Sequence, residues 1–208
     1  MKVLLINGSP HEKKCTYTAL QSAQKGLEAN GVAAEFFWIG TEPIKPCVAC
    51  GACDTTQRCA FGADDGINTL IEKLQEVDGV IVASPVYYAG INGSLKSVLD
   101  RAWFAASSTY AFKPAASIVS ARRGGTTVSL DQINKYFLVS QMPVVSSLYW
   151  PMVHGQTAEQ VLQDTEGVQV AYQLGANMAW LLKSIQAGKQ AGIVPVPLEN
   201  RAWTNFIR

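Results

Sequence analysis

Gly8-Ser9-Pro10 and Cys15-Thr16 stand directly after the apolar run Val3-Leu4-Leu5-Ile6. That order makes a buried strand, a short hydroxyl-bearing loop and the start of a helix. The first backbone N–H groups of a helix have no partner inside it, and the aligned peptide dipoles favour negative charge there. A phosphate can be held at such a place without a nearby cation, and Ser9 and Thr16 add hydroxyl donors. Two more chemistry-bearing segments also follow apolar runs. One is Ser84-Pro85-Val86-Tyr87-Tyr88, and the other runs from Ser120 through Arg122, Arg123, Gly124 and Gly125.

The elements that must position these loops show in the apolar pattern. Short apolar runs occupy residues 2–8, 34–39, 79–84, 115–121 and 143–147, as suits parallel strands covered on both faces. Helical patterns cover 16–30, 67–77, 94–106 and 130–140. A longer helix from Ala158 to Ala187 opens on a capping box of Thr157 and Gln160. Gly167 and Gly175 mark close packing or a bend within it. Five strands alternating with five helices predict an α/β domain. Its five-stranded parallel sheet is doubly wound in the order 2-1-3-4-5, with helices on both faces. In such folds the ligand lies outside the carboxyl ends of the strands, so the strand-following loops make one composite site. The domain is expected over residues 1–188, with a tail over 189–208 that packs on the domain or on a neighbouring subunit.

Bulk properties narrow the function classes. A 208-residue chain with 48% hydrophobic residues can bury a sizeable core as one domain. A formal net charge of +1 suggests neither a nucleic-acid groove nor a basic membrane patch. No apolar run approaches the ~20 residues that span a bilayer. The strand pattern begins at the N-terminus and leaves no room for a signal peptide. Five cysteines, four of them in one loop, suit a reduced cytoplasm better than a secreted disulfide scaffold.

The phosphate ligand can be narrowed by what is missing. The nucleotide-triphosphatase pattern G-x-x-x-x-G-K-[ST] does not occur, and Gly8-Ser9-Pro10-His11 is no dinucleotide fingerprint. A phosphoacceptor domain wants carboxylates where this chain has Asn7. A mononucleotide remains, and flavin mononucleotide (FMN) fits because its ring would extend to the third and fourth strand loops. Residues 8–16, the stretch from Ser84 to Arg101, and Ser120 to Thr127 resemble the flavodoxin-like NAD(P)H-dependent FMN reductases and their iron–sulfur flavoprotein relatives.

That resemblance implies that Ser9, His11, Cys15 and Thr16 bind the FMN phosphate. It places the ring against Pro85, Val86, Tyr87 and Tyr88 on one side and Ser120 through Gly125 on the other. Backbone N–H groups at Arg122, Arg123, Gly124 or Gly125 would stabilise negative charge on the reduced ring. The implied reaction passes a hydride from NAD(P)H to flavin N5 and then to a quinone, flavin, nitro or azo acceptor. The resemblance also implies a homodimer or homotetramer, with Trp103 and Tyr149-Trp150 as candidate contact surfaces.

Cys47, Cys50, Cys53 and Cys59 form the sharpest local motif. The first spacings resemble ferredoxin ligation of a [4Fe–4S] cluster, and the nearby fourth cysteine resembles the compact motif of iron–sulfur flavoproteins. A four-sulfur zinc site and a metal-free thiol-rich lid are the alternatives. Two other functions follow from this loop: an electron carrier with a cluster, or a non-catalytic flavin and thiol redox sensor. Cys15 at a helix start should have a lowered thiol pKa, which a bound phosphate would oppose. His154 is expected in the loop after the fifth strand. Asp64 and Asp65 read as helix-approach carboxylates, and Asp100-Arg101 as a local ion pair.

Overall fold

The computed structural model describes residues 1–196 together with Ala202 and Thr204. Its elements in chain order are β1 (Lys2–Asn7), α1 (Cys15–Ala29), β2 (Ala33–Trp38), α2 (Cys53–Thr56), α3 (Ile67–Glu76), β3 (Gly79–Tyr87) and β4 (Gly90–Ile91). There follow α4 (Gly93–Ala106), β5 (Ala115–Ala121), α5 (Thr126–Val139), β6 (Met152–His154), α6 (Ala158–Gln163) and α7 (Thr165–Gln190). The sheet runs β2-β1-β3-β5-β6, and every pair along that path is parallel. Counted over the parallel strands alone, this is the expected 2-1-3-4-5 order.

Alternation along the strands divides the core in two. Leu4, Ile6, Val80 and Val82 pack with α3, α4 and α5 on one face. Val3, Leu5, Ile81 and Ala83 pack with α1 and α7 on the other. Trp103 is only 4% exposed and sits in the first of these cores, so it is not a contact surface. Tyr149 and Trp150 are exposed.

Three features depart from the sequence expectation. The first is β4, which pairs antiparallel with the end of β3. Tyr88 and Ala89 both have positive φ, 49° and 59°, as a two-residue hairpin turn requires. The turn therefore forms without the glycine that would have announced it. The second departure is the fifth strand, expected at 143–147. Val144 makes only an isolated bridge to Ala115, and the paired strand is Met152–His154. Between them the chain leaves the sheet edge: Ser147 Oγ donates to Val170 O at 2.6 Å, and Asn177 Nδ2 donates to Ser146 O at 2.9 Å. His154 thus ends the edge strand and does not lie in a loop beyond it.

The third departure is the last helix, which is two helices. Asp164, with ψ of 75°, separates α6 from α7, and its Oδ1 accepts from Gly167 N at 3.0 Å. The expected capping box is half formed. Thr157 Oγ1 accepts from Gln160 N at 3.3 Å, but Gln160 Oε1 accepts from Gln156 N. The Trp203–Arg208 stretch of the expected tail lies outside the described residues except for Thr204.

Gly167 lies at this break, and Gly175 is a close-packing residue. A Cβ at Gly175 would stand 2.0 Å from Ala23 O in α1, and one at Gly26 would stand 2.0 Å from Tyr172 O in α7. The two backbones touch through these glycines. Gly175→Ala should therefore destabilise by at least about 2 kcal/mol, a fall in Tm of roughly 4–8 °C. Gly188→Ala, farther along the same helix with its nearest contact at 3.8 Å, should be neutral or stabilising by up to about 1 kcal/mol. Thermal unfolding of both variants checks this, and equal melting would contradict the packing.

Candidate functional site

The loop from β1 to α1 is built around a buried amide. Asn7, 1% exposed, accepts from Ser9 N through Oδ1 at 3.1 Å and donates through Nδ2 to Glu12 O at 2.9 Å. Ser9 Oγ accepts from His11 N at 3.1 Å. Trp38 Nε1, from the end of β2, donates to Ser9 O at 2.8 Å. Thr16 Oγ1 and Ser120 Oγ lie 2.9 Å apart, which joins the first turn of α1 to the end of β5.

The start of α1 has no side-chain cap. Lys14 is its N-cap residue, no side chain accepts from its first turn, and that turn carries no acidic residue. The first bonded amide is Thr18 N, which donates to Lys14 O at 2.9 Å. The N–H groups of Thr16 and Tyr17 meet no acceptor among the described residues. This is the arrangement that favours an anion.

On the neighbouring side, Ser84 Oγ accepts from Asn92 N at 3.0 Å, and Asn92 Oδ1 caps α4 by accepting from Ser94 N and Leu95 N. The β3–β4 hairpin so held rests on Gly125. A Cβ there would stand 2.6 Å from Ala89 Cα, and φ is +92°, so glycine alone fits without strain. Gly125 is also the N-cap of α5, which has no side-chain cap.

These elements line an open cleft of about 270 Å³ at the carboxyl rim. Ser9, His11, Cys15, Thr16, Pro85, Val86, Tyr87, Ser120 and Arg122 all face it. Tyr88 is fully exposed at the hairpin tip, while Arg123, Gly124 and Gly125 stand beside the cleft and do not line it. Lys14, Ala121, Gly155 and Gln156 also line it. Lys14 puts a cation at the loop, contrary to the sequence expectation, and its signal was the Lys13-Lys14 pair next to Cys15. Gly155 and Gln156 come from a distant stretch and had no local signal.

Cys15 Sγ donates to Gly155 O at 3.6 Å, and burial pushes its thiol up from the ordinary value. Desolvation outweighs the helix start, opposite to the expected lowering. His154 is absent from the cleft wall and stands with Nδ1 3.6 Å from Asp164 Oδ2.

The cysteine loop follows β2 and packs against α4. Cys47, Cys50, Cys53 and Cys59 are free thiols around one small apolar hollow closed by Phe61, Arg101 and Phe104. Among the described residues, no three His, Cys, Asp or Glu side chains converge as a single-ion site requires. Four cysteine sulfurs are also the donor set of a structural zinc site, and in this arrangement the thiols stand apart for either group. The donor chemistry, four thiols from one loop, fits a [4Fe–4S] cluster. The hollow has only about 20 Å³, room for a water, so the loop must open around such a group.

The expected Asp100–Arg101 pair is not formed. Asp100 pairs with Lys96 one turn earlier, whereas Arg101 pairs with Asp65. Asp65 keeps part of its expected role, since its Oδ1 accepts from Ile67 N at the start of α3.

Comparison with known proteins gives this geometry a class. A flavodoxin, WrbA-like protein from Agrobacterium tumefaciens superposes with a TM-score of 0.58 at 18% identity, over 88% of this chain and 96% of that one. The fold is flavodoxin-like. An iron–sulfur flavoprotein of Methanocaldococcus jannaschii is 28% identical over 195 residues, 89% of this chain and all of that protein. An FMN reductase (NADPH) of Escherichia coli is 31% identical over 100 residues, 48% of this chain and 47% of that one. Residues 1–157 match the NADPH-dependent FMN reductase family, and the chain belongs to it. It is an NAD(P)H-dependent flavin oxidoreductase that uses FMN. No helix among the described residues is long and apolar enough to cross a membrane.

Asn7 is the structural residue of this site that sequence reasoning noticed only as a missing carboxylate. Asn7→Ala strands Ser9 N and Glu12 O, and should cost about 1–3 kcal/mol, seen as a fall of a few degrees in Tm. An unchanged Tm would mean that the loop does not depend on the buried amide.

Proposed function

We propose that FMN lies in the rim cleft with its phosphate on the first turn of α1 and its ring between 85–88 and 120–125. The electrons then pass from NAD(P)H to a small acceptor: a quinone, a free flavin, or a nitro or azo compound. The observation that carries this reading is the uncapped donor set of α1, beside a cleft lined by Ser9, Thr16 and Lys14. When bound, FMN supplies hydride acceptance and donation at ring N5. The chain's own residues bind and orient. Thr16 and Ser9 offer hydroxyls to the phosphate, and His11 and Cys15 close the loop around it. Lys14 and Arg122 supply positive charge, with Arg123 nearby. Pro85, Val86 and Tyr87 form one wall and Ser120 the opposite one. Tyr88 at the exposed tip is free to close over a flat ligand, and the uncapped N–H groups beyond Gly124 and Gly125 face developing negative charge.

The exposed Tyr149 and Trp150 supply an apolar face for a homodimer or homotetramer, and the free cysteines suit the reducing cytoplasm. The cysteine loop favours a second reading, an iron–sulfur electron carrier without its own NAD(P)H step.

Stopped-flow mixing of the anaerobic FMN-loaded protein with NADPH separates the two. Rapid bleaching of the flavin bands is expected for the reductase, and absent bleaching in protein that contains iron and acid-labile sulfide supports the carrier. For the phosphate site, Ser9→Ala and Thr16→Ala should each raise the FMN Kd about tenfold to a hundredfold, the loss of one hydrogen bond to a charged group. Unchanged affinity in both variants would place the phosphate elsewhere.

A further inference from the structure

Arg101 is a buried cation with one donor, its Nε–H, pointing at sulfur. It lies in α4 facing the cysteine loop, and its side chain is 2% exposed. A guanidinium that far from water costs several kcal/mol unless its charge and donors are matched. Asp65 receives Nη1 and Nη2 in a two-pronged pair, and Lys45 O accepts from Nη1 at 3.2 Å. The Nε–H is directed at Cys59 Sγ, 3.2 Å away.

The backbone of Cys59 is clamped as well. Its N donates to Asn68 Oδ1 at 2.9 Å, and its O accepts from Asn68 Nδ2 at 3.0 Å. Asn68 is itself buried. Among the described residues the other three sulfurs have no cationic donor: Cys50 is exposed, Cys47 Sγ accepts from Ala49 N, and Cys53 Sγ reaches Phe104 O at 3.9 Å. Cys53, at the start of α2, packs against the core as Cys59 does, but among the described residues only Cys59 has a cation on its sulfur and a side chain clamping its backbone.

We propose that Arg101 is a positioning residue for a [4Fe–4S] cluster on this loop, presenting Cys59 as its fixed ligand and favouring the reduced cluster through the Nε–H···S hydrogen bond. The proposal rests on the cluster reading of the cysteine loop. Uptake of one electron adds one negative charge to the cluster and its four thiolates, with no bond made or broken. A cationic donor on a ligand sulfur favours the more negative state. Asp65 lies on the Nη side of the guanidinium, so the positive end of the pair faces the sulfur. Arginine keeps its proton throughout the working pH range, so the bias is permanent.

The test compares wild type, Arg101→Lys and the double variant Arg101→Gln/Asp65→Asn, which leaves neither charge buried alone. All are purified anaerobically with iron and sulfide supplied. Iron and acid-labile sulfide per chain, flavin absorbance and an EPR-monitored redox titration are read on each. Wild type should hold a four-iron cluster. In the double variant the ratio of reduced to oxidised cluster at a fixed poise should fall about tenfold, about 59 mV for one electron, with flavin content unchanged. Arg101→Lys keeps the charge without the planar fork and should fall between them. If the double variant loses its flavin and so its fold, the lysine variant decides alone, and a wild-type potential in it overturns the proposal. An unchanged potential in a folded double variant likewise reduces Arg101 to packing. Wild-type chains without iron overturn the cluster reading and the role of Arg101 together.

Discussion

The amides of Thr16 and Tyr17 meet no acceptor among the described residues, and the rest of the rim is arranged around those donors. Helices α4, α6 and α7 all start on a residue whose side chain accepts from the first turn: Asn92, Thr157 and Asp164. α1 starts on Lys14 and has no such acceptor. Leaving helix-start donors to water gives up stability that a cap supplies, typically about 1 kcal/mol. The same donors, with the dipole behind them, bind an anion. Their position is fixed at both ends of the helix. Asn7 cages the loop in front, and the contact of Gly26 and Gly175 with the facing backbones locks α1 onto α7 behind.

The two sides of the sheet therefore do different work. The α1/α7 side is a rigid mount for the uncapped start of α1. The other side carries α4, which connects the two chemical regions. Its cap, Asn92, is tied to Ser84 at the base of the hairpin, and Arg101 lies about 14 Å along the same helix axis, against the cysteine loop. A shift of α4 would be felt at both places. Hairpin geometry and cysteine-loop geometry are thus joined through one helix, although the cleft and the hollow share no lining residue.

Much of this was legible in sequence because the inner strands β1, β3 and β5 are buried over most of their length, which writes them as largely apolar runs, and β2 at one edge, though half-buried around Glu35, keeps apolar residues on either side of it. The other edge strand, β6, is different. It needs pairing on one side only, so it can break into a bridge at Val144 and a short strand at Met152–His154 without exposing a core. The apolar pattern located only the first piece. The hairpin after Tyr87 was hidden because Tyr88 and Ala89 occupy left-handed positions usually marked by Gly or Asn. At the site, strand–loop–helix order identified Ser9, Thr16, the 85–87 wall and Ser120. It could not supply Gly155 and Gln156, which meet the loop from the far end of the sheet, nor the Arg101–Asp65 pair, whose members lie on different elements. Nor could it weigh desolvation of Cys15 against the helix start, because burial is a property of the assembled fold.

The most direct test of the account is a binding titration of apo-protein with FMN and, in parallel, with riboflavin, followed by flavin fluorescence quenching. The two ligands share the ring and differ by the phosphate. If the uncapped start of α1 is the anchor, FMN should bind more tightly by on the order of a hundredfold, and the difference should shrink in high salt. Equal affinity for the two would contradict the central claim, since the phosphate would then be making no use of the donors that the fold leaves open.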